Sequence, residues 1–203
     1  MNQDVRNIGL KFLQDIDAFI KDNIDNLSCD DISSIYSYFF EDLKKYKGNS
    51  HGFTGLSEYL VFRFVYNMLG DLKPQKATHS TGVVFESTAD SKLHIGQSMR
   101  VEIGKKLFYP DLAVMYAGEL ISIAQIKCYL TKGNKEVDEE SAKISSLRIK
   151  FPKMMAMLIM FQGPVNKERL DRMEEDNISY LILKGNPAKF KIELYRLLPG
   201  RCK

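Results

Sequence analysis

Residues 108–130 read FYPDLAVMYAGELISIAQIKCYL, and this stretch decides the fold. Two apolar runs, 108–116 and 120–130, flank a short turn-forming segment at 117–119, which is the pattern of a β-hairpin. Both faces of each run are largely apolar, as expected for strands in the middle of a sheet that helices cover on both sides. The sequence therefore predicts a central hairpin inside a layered α/β structure.

The register of this hairpin determines whether its polar side chains meet. If the turn has three residues, 117–119, Asp111 faces Gln125 and shares its side of the sheet with Lys127, because side chains alternate along a strand. If the turn has two residues, Asp111 faces Ala124 and the cluster breaks. A shared polar site therefore predicts either a three-residue turn or a β-bulge.

The surrounding sequence predicts a mixed sheet flanked by helices. Residues 1–50 form an N-terminal helical layer, and 51–203 form an α/β core, with one compact domain overall as the simplest arrangement. The helix at 54–69 is apolar nearly all round, which indicates burial. The predicted helices cover 4–24, about Ser28 to Tyr46, 54–69, 137–150, 165–175 and 187–198, and the predicted strands cover 82–87, 94–103, 108–116, 120–130, 154–161 and 178–183.

Composition excludes several classes of protein. The 203 residues carry a net charge of only +3, so charge alone identifies no partner. The 3 cysteines lie far apart without CxxC spacing, which argues against a structural zinc site and favours a reducing, cytoplasmic location. No stretch approaches the roughly 20 apolar residues of a membrane span, so no membrane association is expected. Phosphate-binding glycine loops are absent from the sequence.

A few polar side chains interrupt otherwise apolar elements. Glu58 lies in the apolar helix, Asp111 follows Pro110 inside one strand of the hairpin, and Gln125 and Lys127 lie in the other. A buried charge is costly unless it is paired or binds a metal. These residues therefore predict one shared polar site.

These residues resemble a known enzyme family. Pro110-Asp111 followed by Gln125-Ile126-Lys127, with a preceding helix that carries Gly55 and Glu58, is similar to the PD-(D/E)xK superfamily of restriction-endonuclease-like nucleases. The order of elements from about 54 to 183 also resembles the αβββαβ core of that family. The resemblance implies a restriction-endonuclease-like α/β fold and Mg²⁺-dependent hydrolysis of DNA phosphodiesters, in a restriction-type or repair endonuclease, with Mn²⁺ as a substitute metal.

The resemblance also implies a role for each residue of the motif. Asp111 would be the central metal ligand, Glu58 would add a second carboxylate, and Gln125 would assist. The backbone carbonyl of Ile126 would complete the metal shell. Lys127 would orient the attacking water or help to deprotonate it. Mg²⁺ favours such hard oxygen ligands and usually keeps several waters.

The chain departs from the family pattern at Gln125, where the family has an acid. A glutamine oxygen can bind a metal but brings no negative charge. Glu86, on a neighbouring predicted strand, is a candidate to compensate. The alternative is a catalytically weakened module of the same fold that binds nucleic acid or scaffolds a complex, and a third hypothesis is protein association through the N-terminal helices.

The expected partner is nucleic acid, taken as duplex DNA, and a homodimer is plausible because many nucleases that cut both strands are dimers. A basic segment follows the motif strand, where it would border the active cleft and contact phosphates. The predicted nucleic-acid-binding residues are Lys132, Lys135, Lys143, Arg148 and Lys150.

Overall fold

The structure is a computed structural model that describes residues 3–47, 54–75, 83–104, 106–128, 135–163 and 166–198. In the described residues, three helices are followed by seven strands, and helices and strands then alternate from α4 onward. The helices are α1 (Gln3–Asp22), α2 (Cys29–Lys47), α3 (Thr54–Leu69), α4 (Lys135–Lys150), α5 (Lys167–Glu175) and α6 (Phe190–Tyr195). The strands are β1 (Leu72–Pro74), β2 (Val83–Ser87), β3 (Leu93–Gln97), β4 (Val101–Ile103), β5 (Lys106–Phe108), β6 (Leu112–Tyr116), β7 (Glu119–Lys127), β8 (Met155–Met160) and β9 (Ile178–Ile182).

Seven of these strands form one mixed sheet in the order β1-β2-β3-β6-β7-β8-β9. Neighbours from β1 to β7 are antiparallel, whereas β7, β8 and β9 run parallel. The parallel strands are joined through α4 and α5, because a parallel connection needs a crossover. The chain thus has an α/β fold with a mixed sheet flanked by helices, as the sequence predicted.

Helices cover both faces of the sheet. Helices α1, α2, α3 and α6 pack on one face, around buried side chains such as Ile20, Phe64 and Ile126. Helices α4 and α5, with the separate β4–β5 hairpin, pack on the other face, around Ile123, Leu147 and Leu158. This double covering explains why β7 is buried almost throughout its length.

The N-terminal helical layer packs directly on the core. A reciprocal capping box starts α2, since the backbone N–H of Asp31 donates to Ser28 Oγ at 3.1 Å and the N–H of Ser28 donates to Asp31 Oδ2 at 2.8 Å. Arg63 of α3 donates from Nε to Asp17 Oδ1 of α1 at 2.6 Å, which ties the first and third helices together.

Several element boundaries differ from those that the sequence predicts. The strand predicted over 108–116 is divided at Pro110, which lacks the N–H that a strand ladder needs. The strand predicted over 94–103 is also divided, around Ser98, whose φ is 50°. The last helix begins at Phe190 rather than at Pro187, and β1 was not predicted.

Candidate active site

A β-bulge sets the register of the central hairpin. The turn has two residues, Ala117 and Gly118, with φ values of 50° and 85°. The register then shifts between Val114 and Met115, which leaves Ile121 of β7 unpaired. Of the two alternatives that would unite the cluster, the three-residue turn is therefore wrong and the bulge is present.

The bulge aligns Asp111 with Gln125. On the side of the bulge away from the turn, Leu112 pairs with Ala124. The residues that follow this pair, Asp111 on one strand and Gln125 on the other, therefore lie opposite each other. Gln125 is buried and lies on the same face of β7 as Ile123, the face that α4 covers.

Asp111 occupies the position where the β6 ladder ends. Its Oδ2 atom accepts a hydrogen bond of 2.7 Å from the backbone N–H of Ile126. Burial raises the pKa of Asp111 to about 7; the Ile126 hydrogen bond and the charge of Lys127 oppose the rise, and the charges of Glu58 and Glu140 reinforce it. The N–H and C=O of one strand residue point to the same side, so the carbonyl of Ile126 also faces the Asp111 side of β7.

Lys127 forms an ion pair on the α4 side of the sheet. Its Nζ atom lies 2.9 Å from Glu140 Oε1. Burial opposes the charge of Lys127, but the hydrogen bond and charge of Glu140, together with the charges of Asp111 and Glu58, outweigh burial and raise its pKa. Lys127 is therefore an ammonium ion at neutral pH, which suits the orientation of an anion or a water better than proton abstraction.

Glu58 approaches the cluster from α3. The preceding residue, Ser57, brings its Oγ to 2.9 Å from Cys128 Sγ, and this contact holds the start of α3 against the end of β7. Burial raises the pKa of Glu58, while the charge of Lys127 lowers it. Glu58 thus belongs to the same electrostatic cluster as Asp111 and Lys127.

Glu140 of α4 is the member of the cluster that sequence reasoning missed. It is only 4% exposed, and its Oε1 atom lies 2.9 Å from Lys127 Nζ and 2.9 Å from Lys143 Nζ. Its Oε2 atom is buried without a hydrogen-bond partner among the residues that the structure describes. A signal was available, because Glu140 follows Val137 and precedes Ile144 at the helical spacing of the buried face of α4, where an apolar residue is expected.

The predicted nucleic-acid-binding residues divide into two groups along α4. Lys143 lies one turn from Glu140, within the cluster. Arg148 donates from Nη2 to the carbonyl of Asn177 at 2.5 Å, and Lys150 donates from Nζ to the carbonyl of Glu102 at 2.9 Å. Both lie at the opposite end of α4.

The remaining candidates from the sequence are Lys132, Lys135 and Glu86. Lys132 lies outside the described residues, and only the backbone of Lys135 is described, as the first residue of α4. Glu86 is engaged elsewhere, because it accepts a hydrogen bond from Gln75 and lies 3.9 Å from His94 Nε2.

The carboxylates of the cluster determine its capacity for a metal ion. The described ranges contain no group of three or more His, Cys, Asp or Glu side chains arranged to hold a metal ion. Two features nevertheless suit a cation. One is the buried Oε2 atom of Glu140, which has no hydrogen-bond partner among the described residues. The other is Asp111, whose pKa of about 7 reflects burial and nearby carboxylates that oppose its negative charge, so that a cation would stabilise the ionised form. The residues able to contribute are Asp111, Glu58, Gln125, Glu140 and the carbonyl of Ile126.

Comparison with known proteins leaves the family open. No protein-family model matches the chain, and no curated protein matches it. Among solved structures, the crystal structure of protein VC1899 from Vibrio cholerae is similar with a TM-score of 0.39 and 13% sequence identity. The match covers 91% of this chain and 55% of that one, so this chain spans about half the length of that protein. None of the helices in the described ranges combines the length and apolar character that a membrane span requires.

Proposed function

We propose that this chain is a Mg²⁺-dependent nuclease that hydrolyses DNA phosphodiesters, with a restriction-endonuclease-like core. The observation that carries the proposal is the bulged hairpin, which aligns Asp111 with Gln125 while Lys127 points to the same side and pairs with a buried carboxylate. The element order also supports it, because α3, β3, β6, β7, α4 and β8 follow the αβββαβ order that the resemblance implies once β1, β2 and the β4–β5 hairpin are left out.

In this proposal Glu140 takes over the function of the acid that Gln125 replaces. The support for this assignment is electrostatic, because the charges of Glu58 and Glu140 both act on Asp111 near the end of β7. Asp111 and Glu140, with the carbonyl of Ile126, would hold the metal, Glu58 would contribute through a water, and Gln125 would add a neutral oxygen ligand. Mg²⁺, when bound, neutralises phosphate charge and lowers the pKa of a coordinated water.

The cationic side chains have a separate role in this proposal. Lys127 keeps its proton, so it orients the attacking water and stabilises the charge that develops on the phosphate. Lys143, half-exposed beside Glu140, contacts a neighbouring phosphate.

The test is a cleavage assay with Mg²⁺ or Mn²⁺ on supercoiled plasmid, linear duplex and single-stranded DNA. Asp111→Ala and Lys127→Ala are expected to abolish cleavage while retaining the fold, and Lys92→Ala, an exposed lysine in the β2–β3 connection, is the matched control. Cleavage by either active-site variant at the wild-type rate contradicts the proposed mechanism.

A second candidate function is a module of the same fold that binds nucleic acid or scaffolds a complex without cleavage. The ion pair that occupies both Lys127 and Glu140 favours it. Thermal unfolding at increasing Mg²⁺ discriminates the two functions. A metal that binds only the folded state at 100 times its Kd stabilises that state by about 2.7 kcal/mol, whereas a module without a metal site shows no such shift.

A further inference from the structure

A cavity of about 440 Å³ lies at the other end of the parallel strands from the candidate active site. It is formed where α4 ends, where β8 and β9 begin, and where α6 ends. Met155 at the cavity pairs with Ser122, whereas Met160 pairs with Lys127, so five residues of β8 separate the two places, or roughly 16 Å at the rise of a strand. The cavity is therefore a separate site.

The charged residues that line the cavity are basic. Arg148, Lys153 and Arg196 contribute to its wall, and no acidic residue does so among the described lining residues. Two of the three are anchored: Arg148 donates to the carbonyls of Asp176 and Asn177, and Arg196 Nη1 lies 2.9 Å from Glu193 Oε2.

These contacts orient the guanidinium groups and leave some of their N–H donors available for a ligand. A guanidinium has five N–H donors, and the anchoring contacts of each arginine use only some of them. Glu193 offsets part of the charge of Arg196, but Lys153 adds a third positive charge. The lining residues together with Glu193 therefore carry a net positive charge, which favours an anion, and a bidentate arginine suits a phosphate in particular.

The rest of the wall is mixed, with the polar residues Asn177 and Ser179 beside apolar side chains. Met155 contributes to the apolar part, whereas Met154, Met157 and Leu197 are buried. Met155 is 37% exposed although it belongs to a strand that is otherwise buried. Methionine sulfur and methyl groups make favourable contacts with aromatic rings. The volume lies within the range of roughly 300–1,000 Å³ that is usual for small-ligand sites.

We propose that this cavity binds a 5′-phosphorylated nucleoside, with the phosphate against the basic residues and the base against Met155, the exposed methionine of the wall. The proposal also accounts for the part of the predicted basic segment that the structure places away from Asp111. It does not depend on the proposed nuclease activity, because the two sites share no residue.

The test uses adenosine 5′-monophosphate as the probe, with the full chain in EDTA so that no divalent metal contributes. Titration calorimetry gives the affinity, and methionine-methyl NMR gives the location. Met155 is the reporter for the cavity, and Met160, on the same strand, is the reporter for the candidate active site. Adenosine and inorganic phosphate are the comparison ligands.

The expected result is binding of the monophosphate that shifts the Met155 signal and leaves Met160 unchanged. Adenosine is expected to bind at least tenfold more weakly, and Lys153→Glu and Arg196→Gln are each expected to weaken binding at least tenfold. Lys92→Glu, which changes an exposed lysine outside the cavity, controls for overall charge.

Three results would overturn the proposal. The first is no binding of the monophosphate to the wild-type chain. The second is binding that Lys153→Glu and Arg196→Gln leave unchanged. The third is inorganic phosphate binding as tightly as the monophosphate, which would show that the nucleoside is not recognised.

Discussion

Replacement of Asp111 by asparagine is predicted to stabilise the metal-free protein at alkaline pH. The pKa of Asp111 rises from 3.8 to about 7 on folding, chiefly because the carboxyl group is buried. The folded state therefore holds this proton more tightly than the unfolded state does. Stability contributed by this group is present below about pH 4 and falls as the pH rises toward 7.

The size of the effect follows from the shift of about three pKa units. Each unit corresponds to about 1.36 kcal/mol, so ionised Asp111 costs on the order of 4 kcal/mol of folding free energy above pH 7. Asparagine removes the charge and keeps an oxygen that can accept the N–H of Ile126. Asp111→Asn should therefore be more stable than wild type by up to this amount at pH 8, and equally stable near pH 4.

The assay is urea denaturation in EDTA at pH 4, 6 and 8. Asp15→Asn, which changes an exposed carboxylate of α1, is the matched control and should show no such pH-dependent gain. Added Mg²⁺ should stabilise wild type and narrow its difference from Asp111→Asn, because a bound cation replaces the proton. A variant that is equally or less stable than wild type at pH 8 would refute the reasoning about this carboxylate.

Three further substitutions test other parts of the structure. Glu140→Gln should lower the free energy of unfolding in urea by up to about 3 kcal/mol, the lower end of the range for a broken buried ion pair, because the Lys127 side chain is 27% exposed. The same variant should need a higher Mg²⁺ concentration for cleavage. An unchanged metal requirement would exclude Glu140 from the metal site. Gln125→Glu should tighten Mg²⁺ binding in calorimetry by adding the missing charge, and weaker binding would count against the assignment. Gly96→Ala should cost about 1–3 kcal/mol in thermal unfolding, because the added Cβ would lie 2.8 Å from Met99 Cβ; a variant as stable as wild type would show that Met99 moves freely.

The sequence predicted most of the sheet because its strongest signals are local. The apolar helix α3 spans its predicted range, and β6 and β7 lie at the predicted hairpin, although the run at 108–116 is divided at Pro110. The need to unite Asp111 with Gln125 predicted a bulge as one of two alternatives, although the pattern could not choose between them.

Glu140 and Arg148 show where sequence reasoning reached its limit. The spacing of α4 places Glu140 on the buried face, but it does not identify the partner that compensates the buried charge, because that partner, Lys127, lies on β7, 13 positions earlier in the sequence. Arg148 lies eight residues after Glu140, or about 12 Å along the helix. One basic segment can therefore contribute to both the candidate active site and the cavity at the other end of α4. Position in the sequence alone does not show which of the two sites a basic residue of this segment joins.

The most direct test of the central claim is the single-turnover cleavage rate of a labelled DNA duplex as Mg²⁺ is increased. Wild type and Asp111→Asn, purified in parallel, are compared at equal fractions folded. The account predicts a rate that saturates with Mg²⁺ in wild type and is at least a hundredfold lower in the variant. A rate that is independent of Mg²⁺, or that is equal in the two proteins, would contradict it.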